Sequence, residues 1–409
     1  MRNPLSKAFR ALESFNFRLW TAGALVSNIG TWMQRVAQDW IVLTQLTHHD
    51  ATALGIVTAL QFAPQLLLVP WSGSAADRFN KRKLLMLTQA SMGVLATALG
   101  ILTISGYVRL WHVYVFAFLF GAAAAMDGPV RQTFVGELVG DKHLPNAVAL
   151  NSISFVACQM IGPAVAGLVI AKIGTGWAFL SNGISFGAVL LSMYLLRVHE
   201  LKTIARASRV PSSFIDSLRY MWARPDLQSI LVMLVLIGTF GMNLTIFIST
   251  MAVNVFHADA RGFGLLSSMM AVGTISGALL SARRDKPNFG TLCLGTGVFG
   301  IGCTVAAFAP GYWWFAASLA VIGVAVITFM TATNSMIQLS TEPIMRGRVV
   351  ATGMGLMLGG TAIGAPIVGW VANHFGPRMS LGIGALSAFL AAMVAALRMA
   401  KSVPVPLNT

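Results

Sequence analysis

Charged residues are scarce in this chain of 409 residues, since only 10% of the sequence is charged and only 13 residues are acidic. A soluble globular domain typically has about 25% charged residues, so an ordinary soluble fold is excluded. Cysteine is scarcer still, with Cys158, Cys293 and Cys303 alone. All three lie in apolar runs, which predicts packing side chains and excludes a disulfide framework or a cysteine-based metal site.

Catalytic motifs are missing as well. The sequence holds no G-x-x-x-x-G-K-[ST] phosphate loop, which excludes ATP hydrolysis by that route. No recognisable motif assembles a Ser/His/Asp or Cys/His constellation. We therefore expect a protein that is not an enzyme and binds no cofactor or metal.

Hydrophobic residues are abundant, at 56% of the chain, and the mean hydropathy is +0.74. They form recurring runs of roughly 20 residues, the length that crosses a ~30 Å hydrocarbon layer as a helix. Only helices and closed barrels satisfy the backbone in lipid, and the runs lack the alternation of barrel strands. We predict an all-α membrane protein with twelve transmembrane helices, centred near residues 30, 63, 95, 121, 159, 185, 239, 272, 299, 324, 359 and 387.

Basic residues set the predicted orientation. The net charge is +15, and with a cytoplasmic N-terminus all but five of the 28 Lys and Arg fall in cytoplasmic segments. This asymmetry follows the positive-inside rule, so it indicates topology and anionic lipid and argues against nucleic acid. We expect an inner-membrane protein with both termini in the cytoplasm. No short apolar segment with a cleavage site follows the basic N-terminus, so we expect no removed signal peptide.

A long polar segment at residues 197–226 divides the predicted helices into six and six. We predict an N-terminal six-helix bundle at 1–196, a cytoplasmic linker at 197–226 and a C-terminal six-helix bundle at 227–409. Apolar residues recur at helical spacing within the linker, which predicts an amphipathic helix. That helix would either lie on the inner leaflet or contact the cytoplasmic ends of the spans.

The two halves are weakly alike. GPAVAGLVIAKIG, from Gly162, matches GAPIVGWVANHFG, from Gly364, at an offset of 202 residues. Small residues at four-residue spacing, Gly273, Gly277 and Ser281, predict close contact between helices. A duplicated six-helix unit with a site near the bilayer midplane is typical of transporters.

The stretch GSAADRFNKRK, at residues 73–83, follows the second predicted helix. It resembles the G-x-x-x-D-R-x-G-R-R/K signature of the major facilitator superfamily, which lies in the cytoplasmic loop between helices 2 and 3. The matching residues are Gly73, Asp77, Arg78, Lys81 and Arg82. Asn80 replaces the usual glycine, which is tolerable if that position needs a left-handed backbone, because asparagine enters that region more readily than most residues.

Further segments narrow the resemblance. Residues 128–155 and 217–227 resemble inter-helix segments of bacterial drug and siderophore exporters related to the enterobactin and macrolide efflux proteins. The antiporter signature of helix 5 is present in part, as Gly162, Pro163 and Gly167. The resemblance implies the major facilitator fold, with two pseudo-symmetric six-helix bundles that work by alternating access, and it favours antiport.

The resemblance also implies a cytoplasmic gate. In the superfamily, the acid of the loop signature caps a helix of the other half, and the basic residues pair with an acid on helix 4. Asp127 is the one acid expected there, and Arg131 lies four residues on, on the same face. We expect a cluster of Asp77, Arg78, Arg82, Asp127 and Arg131. Its ion pairs would either break during transport or stay fixed and order the loop.

Arg35 and Asp39 interrupt the first apolar run and share one helix face. Charged residues inside a membrane nearly always turn toward a cavity or a partner. Burial favours a neutral carboxylic acid that could carry a proton, whereas the neighbouring guanidinium favours the carboxylate. Two hypotheses stay open: the pair couples transport to protons or contacts substrate, or it stabilises the fold or an outer gate.

Polar and aromatic residues of the other spans are candidates for lining a central cavity. They are Asn28, Trp32, Gln34, Gln61, Phe62, Gln65, Gln159, Asn243, Asn334 and Gln338. With several methionines they would form a mostly apolar, adaptable pocket, which suits bulky amphipathic compounds better than sugars.

The sequence therefore predicts a monomeric secondary transporter, surrounded by membrane lipids, that exports a small amphipathic molecule, drug-like or siderophore-like, in exchange for protons. Two alternatives stay open. One is a lipid or lysolipid flippase on the same fold, and the other is a membrane sensor or scaffold that does not transport.

Overall fold

The computed structural model describes residues 9–140, 143–202, 214–282 and 287–402. Within these ranges, the side chains of 69–78, 282, 343–344 and 401–402 lie outside the description. Nearly all of the described chain is helical, which confirms the all-α class. Eleven of the described helices are long and apolar enough to cross a membrane.

Twelve long helices follow one another along the chain. The first six are α1 (Phe15–Ile41), α2 (Ala51–Arg78), α3 (Lys81–Ile104), α4 (Leu110–Val139), α5 (Leu144–Ile173) and α6 (Thr175–Tyr194). The second six are α7 (Pro225–Val255), α8 (Ala260–Ala282), α9 (Phe289–Ala307), α10 (Tyr312–Ser340), α11 (Pro343–Phe375) and α12 (Pro377–Ser402). Each predicted centre falls inside one of them, so the number and order of the predicted helices are confirmed.

Among the described long helices, α1 is the one without a stretch as apolar as the membrane-crossing stretches of the other eleven. It contains Arg18, Arg35 and Asp39 among its 27 residues. At 1.5 Å per residue it extends for about 40 Å, which is longer than the hydrocarbon layer. Its length therefore suffices for a span, and its charges mark it as the helix that needs internal partners.

Three π-helical turns interrupt the long helices. Val42–Leu46 ends α1, and Met251–Val255 ends α7 at an offset of 209 residues, while Ile237–Gly241 lies in the middle of α7. Such turns are rare, so a matching pair at equivalent helix ends indicates a duplicated unit.

The backbone and caps at the starts of α2 and α8 are also similar in the two halves. His49 and His257 both have a positive φ, at 62° and 48°. Asp50 and Asp259 then each accept a first-turn backbone N–H at 2.8 Å. Both aspartates begin a D-A-x-x-x-G sequence, a repeat that the sequence analysis missed because it is only six residues long.

By packing, the chain forms two compact units. Unit 1 comprises Met1–His48, Ala63–Arg209 and Ala258–Ser268, and unit 2 comprises His49–Phe62, Val210–His257 and Met269–Thr409. The first turns of α2 therefore belong to unit 2, and those of α8 belong to unit 1. A division into continuous domains at residues 197–226 stays a prediction.

The apolar core of unit 1 includes an aromatic cluster. Phe17 and Trp20 of α1, Phe134 of α4 and Phe186 of α6 are almost completely buried and belong to one hydrophobic cluster. Burying large aromatic side chains is a major source of packing energy. This cluster fixes α1 against α4 and α6, the helices that position the charged residues of unit 1.

In unit 2, glycines bring helices into close contact. A Cβ at Gly273 of α8 would overlap the carbonyl oxygen of Ala320 on α10, and one at Gly277 would lie 2.8 Å from the Cα of Val324. The close helix contact predicted from the glycine spacing is therefore confirmed.

The linker contains the predicted amphipathic helix, at Phe214–Ala223. Ser217 and Met221 are buried in unit 2, whereas Ile215 and Trp222 are exposed. One face of this helix thus packs against protein while the opposite face carries exposed apolar side chains.

We expect Gly273→Ala to destabilise the protein by about 1–3 kcal/mol, because the added methyl group would overlap the α10 backbone. The matched control is Gly297→Ala in α9, where a Cβ would meet nothing within 4 Å. Thermal unfolding of detergent-solubilised protein measures both variants. An unfolding temperature for Gly273→Ala at or above that of the control would contradict the close α8–α10 contact.

Candidate functional site

Among the described residues, the charged side chains that lie inside spans, away from helix ends, all belong to unit 1. They are Arg35 and Asp39 on α1, and Asp127 and Arg131 on α4. Intramembrane charges are costly and mark functional positions unless they are paired for structure alone. These charges therefore indicate a functional site in unit 1.

Asp127 is the centre of a hydrogen-bond network. Its Oδ1 accepts from Thr88 Oγ1 at 2.8 Å and from Gln89 Nε2 at 2.7 Å. Its Oδ2 accepts from Arg131 Nε at 2.9 Å. The residue is only 5% exposed, and these three donors satisfy a carboxylate that would otherwise be strongly destabilised in this setting.

The same network reaches α1. Arg131 donates from an NH1 nitrogen to Asn28 Oδ1 at 3.2 Å, and Ser27 Oγ donates to Gln89 Oε1 at 3.5 Å. Helices α1, α3 and α4 are thus joined by one set of polar contacts. The structure brings Asp127 and Arg131 together, as the sequence analysis expected.

Arg82 does not join that pair. Its Nε donates to the Met193 carbonyl oxygen at 2.9 Å and its NH2 donates to that of Tyr194 at 3.3 Å. Arg82 therefore caps the last turn of α6, where unpaired carbonyls and the helix dipole favour a cation. The expected contact of Arg82 with Asp127 and Arg131 is wrong.

Lys81 pairs with a different acid. Its Nζ lies 2.7 Å from Glu137 Oε1. The sequence analysis named Asp127 as the one acid of helix 4, but α4 continues through Pro129 and includes Glu137. The two acids are ten residues apart, or about 15 Å along the axis, so a lysine at the start of α3 reaches the second acid.

The rest of the loop signature is described only in part. The side chains of Gly73, Asp77 and Arg78 lie outside the described residues. Asn80 has an extended backbone, with φ −65° and ψ 116°, and its Oδ1 accepts from Lys83 N at 3.1 Å. It is the N-cap of α3, so this position does not need a left-handed backbone, and the preference of asparagine for N-caps explains the residue.

Arg35 and Asp39 lie one turn apart on α1. Asp39 is 5% exposed, and the guanidinium of Arg35 lies 4.8 Å from the ring centroid of Trp32. Asp39 follows Arg35 by four residues, so the two side chains share one face of α1. Arg35 thus interacts with an aromatic face and lies beside a buried acid on the same helix.

One face of α1 carries a row of polar and aromatic side chains, which we call, together with Arg131, the polar stripe. Asn28, Trp32, Arg35 and Asp39 are spaced by four, three and four residues, so they share one face of α1. Arg131 of α4 extends the stripe through its hydrogen bond to Asn28. Two arginines and an indole therefore lie together along this face of α1.

The glycines of the helix 5 motif pack closely against Trp32 of this stripe and against α8. A Cβ at Gly162 would lie 2.5 Å from the Cβ of Trp32, and one at Gly167 would lie 2.6 Å from the carbonyl oxygen of Ala260. Pro163 is buried within α5. The small residues therefore allow α5 to approach α1 and the first turn of α8.

The repeated glycines of unit 2 make equivalent contacts. Gly364 of α11 packs against the carbonyl oxygen of Thr239 on α7, and Gly369 packs against that of Ala51 on α2. The sequence repeat at an offset of 202 residues therefore corresponds to a structural repeat.

Two of the cavity candidates are instead buried packing groups. Gln34 accepts a hydrogen bond from Asn182 Nδ2 at 2.5 Å, and Asn243 Nδ2 donates to the Thr239 carbonyl oxygen at 2.7 Å. Both are buried, so a lining role for Gln34 and Asn243 is wrong. The others are partly or fully exposed and stay candidates: Asn28, Trp32, Gln61, Phe62, Gln65, Gln159, Asn334 and Gln338.

Three residues near this network, Thr88, Glu137 and Gln38, were not predicted from the sequence. Gln38 is buried beside Asp39, and among the described residues its Nε2 has no hydrogen-bond partner. An available signal was the spacing of Gln34 and Gln38, which places two amides on one face of a helix that also carries charge.

We expect Asp127→Asn to destabilise the protein by about 3 kcal/mol, because it leaves Arg131 without its carboxylate inside the protein. The loss lies at the lower end of the usual range since the Arg131 side chain is 20% exposed. Glu200→Gln is the control, because its pair with Arg197 is on the surface and is worth at most about 1 kcal/mol. Equal unfolding temperatures in detergent would contradict the network.

A profile of the family described as transmembrane secretion effector matches residues 6–405. The chain is 30% identical over 254 residues to the staphyloferrin A transporter of Staphylococcus aureus, with 62% of this chain and 63% of that protein covered. That match spans less than two thirds of the relative. Over 86% of this chain and 88% of the relative, it is 24% identical to the multidrug efflux pump Tap of Mycolicibacterium fortuitum. It is also 22% identical to the enterobactin exporter EntS of Citrobacter koseri, with 84% and 82% covered.

Solved structures share the fold. A bacterial homologue of the human lysosomal transporter Spinster, in an inward-facing and unoccupied conformation, superposes with a TM-score of 0.75 at 16% identity, covering 96% of this chain and 98% of that one. A D-xylose–proton symporter gives 0.73 at 14% identity, covering 94% and 97%. The chain therefore has the major facilitator fold and belongs to the transmembrane secretion effector family, a group of membrane transporters, not enzymes, in the efflux branch of that superfamily.

Proposed function

We propose that this transporter exports small amphipathic compounds, drug-like or siderophore-like, across the cell inner membrane by alternating access. The observation that carries the proposal is the polar stripe, a set of charged and aromatic side chains held inside the spans of unit 1. A helix that only anchors a protein has no use for such groups, because each one is costly in lipid. Export is favoured by relatives named as a multidrug efflux pump and as enterobactin exporters.

Proton exchange is the proposed source of energy, with Asp39 as the proton carrier. Asp39 is almost fully buried one turn from Arg35, which also contacts the ring of Trp32. If Arg35 moves toward Trp32, the carboxyl loses its counter-charge and binds a proton more readily; if it moves toward Asp39, the proton is released. Such a two-position arginine would link protonation to a conformational change.

Contacts at the ends of α3, α4 and α6 would act as the cytoplasmic gate. Of the contacts proposed for this gate, the structure describes the Lys81–Glu137 pair and the Arg82 cap on α6. Asp77 and Arg78 of the loop signature would complete this gate. In the proposed orientation the gate and both termini face the cytoplasm, and the protein works as a monomer in contact with membrane lipids.

Export can be tested in proteoliposomes with an imposed pH gradient and a set of amphipathic fluorescent dyes of both charges. The proposal predicts dye movement that requires the gradient and is accompanied by proton movement in the opposite direction. Movement of labelled lysolipid without dye movement would indicate a flippase. Movement of neither would indicate a sensor or scaffold, and both results contradict export.

We expect Asp39→Asn to lose gradient-driven dye export by about tenfold or more, as removal of an essential proton-transfer group typically costs at least that much. Dye exchange without a gradient should continue, because asparagine resembles the protonated acid. Glu200→Gln serves as the control, since that acid is exposed. Full gradient-driven export by Asp39→Asn would show that Asp39 is not the proton carrier.

A further inference from the structure

We infer that the polar stripe selects compounds that carry a negative charge beside an aromatic ring, and that Arg35, Arg131 and Trp32 recognise them. This inference names the substrate class of the proposed exporter and therefore rests on the proposed function. It excludes the lipophilic cation as the preferred substrate.

The spacing of the stripe fits a small molecule. Asn28, which binds Arg131, and Arg35 are seven residues apart on α1, or about 10 Å along the helix axis. Trp32 lies between them, with the guanidinium of Arg35 4.8 Å from the ring centroid. A compound with one or two rings and an acidic group can thus lie along the indole and reach an arginine.

The acids of the stripe do not offer negative charge to a ligand. Asp39 and Asp127 are each 5% exposed, and the carboxylate of Asp127 accepts hydrogen bonds from Thr88, Gln89 and Arg131. Asp127 holds Arg131 through the hydrogen bond from its Nε, at 2.9 Å. Arg131, by contrast, is 20% exposed, and Arg35 is also partly exposed.

The polar stripe is unsuited to a cationic ligand because its own arginines are positively charged. Aromatic recognition of a cation needs a free ring face, which supplies the negative end of the quadrupole. On Trp32 a guanidinium already lies over the ring, so a second cation would be repelled. Arginine instead binds carboxylates and similar anions through two parallel N–H donors, with both charge and geometry matched.

A second aromatic side chain extends the contact surface for the ring of the ligand. Phe155 of α5 packs edge-on against Trp32, with ring centroids 5.8 Å apart, yet remains 47% exposed. Offset and edge-to-face contacts with such a pair stabilise a bound aromatic ring. Gly162 fixes the position of this pair by allowing α5 to approach Trp32.

Binding of two dyes with similar ring systems tests the inference. Anionic carboxyfluorescein and cationic rhodamine 6G are titrated by fluorescence anisotropy against the protein in lipid nanodiscs, with no gradient. We expect carboxyfluorescein to bind about tenfold tighter or more, the effect of one well-placed charge-assisted contact. Equal affinities, tighter rhodamine binding, or no binding of either dye would overturn the inference.

Variants identify the groups responsible. Asp127→Asn combined with Arg131→Gln removes both charges and leaves no buried charge unpaired, so this double variant should fold, as its unfolding temperature will show. We expect it and Arg35→Gln to weaken carboxyfluorescein binding by about tenfold, with rhodamine binding unchanged. Arg109→Gln is the matched control, because Arg109 is exposed outside the stripe. Unchanged carboxyfluorescein binding in both test variants would also overturn the inference.

The outcome is separable from that of the export experiment, because binding is measured without transport. Selective dye binding in a protein that moves no compound would contradict export and leave the substrate-class assignment standing. Gradient-driven export of dyes without charge selectivity would do the reverse.

Discussion

The carboxylate of Asp127 is the group on which the polar interior of unit 1 depends. An ionised acid at the centre of a span costs several kcal/mol unless protein groups replace water. Here, three donors from α3 and α4 replace water, and one of them, Arg131, carries the network on to α1 through Asn28. Satisfying one buried charge therefore fixes three helices relative to one another and holds an arginine in a defined position beside the polar stripe.

Backbone features repeat along the chain, whereas charges do not. The π turns that end α1 and α7, the aspartate caps that start α2 and α8, and the glycine contacts of α5 and α11 all recur. Yet in the part of the chain that the structure describes, the charged residues in the middle of the spans belong to unit 1, while the charges of unit 2 lie near helix ends, as in the Asp226–Arg398 pair. The duplicated architecture supplies similar scaffolds, and one of them carries the polar groups proposed to bind the substrate and the proton.

Hydropathy alone predicted the helices, because lipid requires long apolar segments with internally satisfied backbones, and the loop signature predicted the superfamily. Side-chain partners were less predictable. Lys81 pairs with Glu137, which is in reach only because α4 continues through Pro129, a residue that usually indicates a break. Arg82 instead binds carbonyl oxygens at the end of α6, which no sequence pattern indicated. Gln34 and Asn243 could not be told from lining residues, because the same amide serves either role and only packing decides. The contact of Arg35 with Trp32 was detectable in principle from their three-residue spacing.

The central claim is that the polar stripe presents positive charge to water, and a cysteine at position 155 tests it most directly. The native cysteines are first replaced, and Phe155→Cys is then reacted with methanethiosulfonate reagents that are matched in size but opposite in charge. Each rate is divided by the rate of the same reagent with a small free thiol, because a thiolate anion itself favours the cationic reagent. The account predicts a higher relative rate for the anionic ethylsulfonate reagent than for the cationic trimethylammonium one, and a smaller difference once Arg35 is also changed to glutamine. A higher relative rate for the cationic reagent, or no reaction with either, would contradict it.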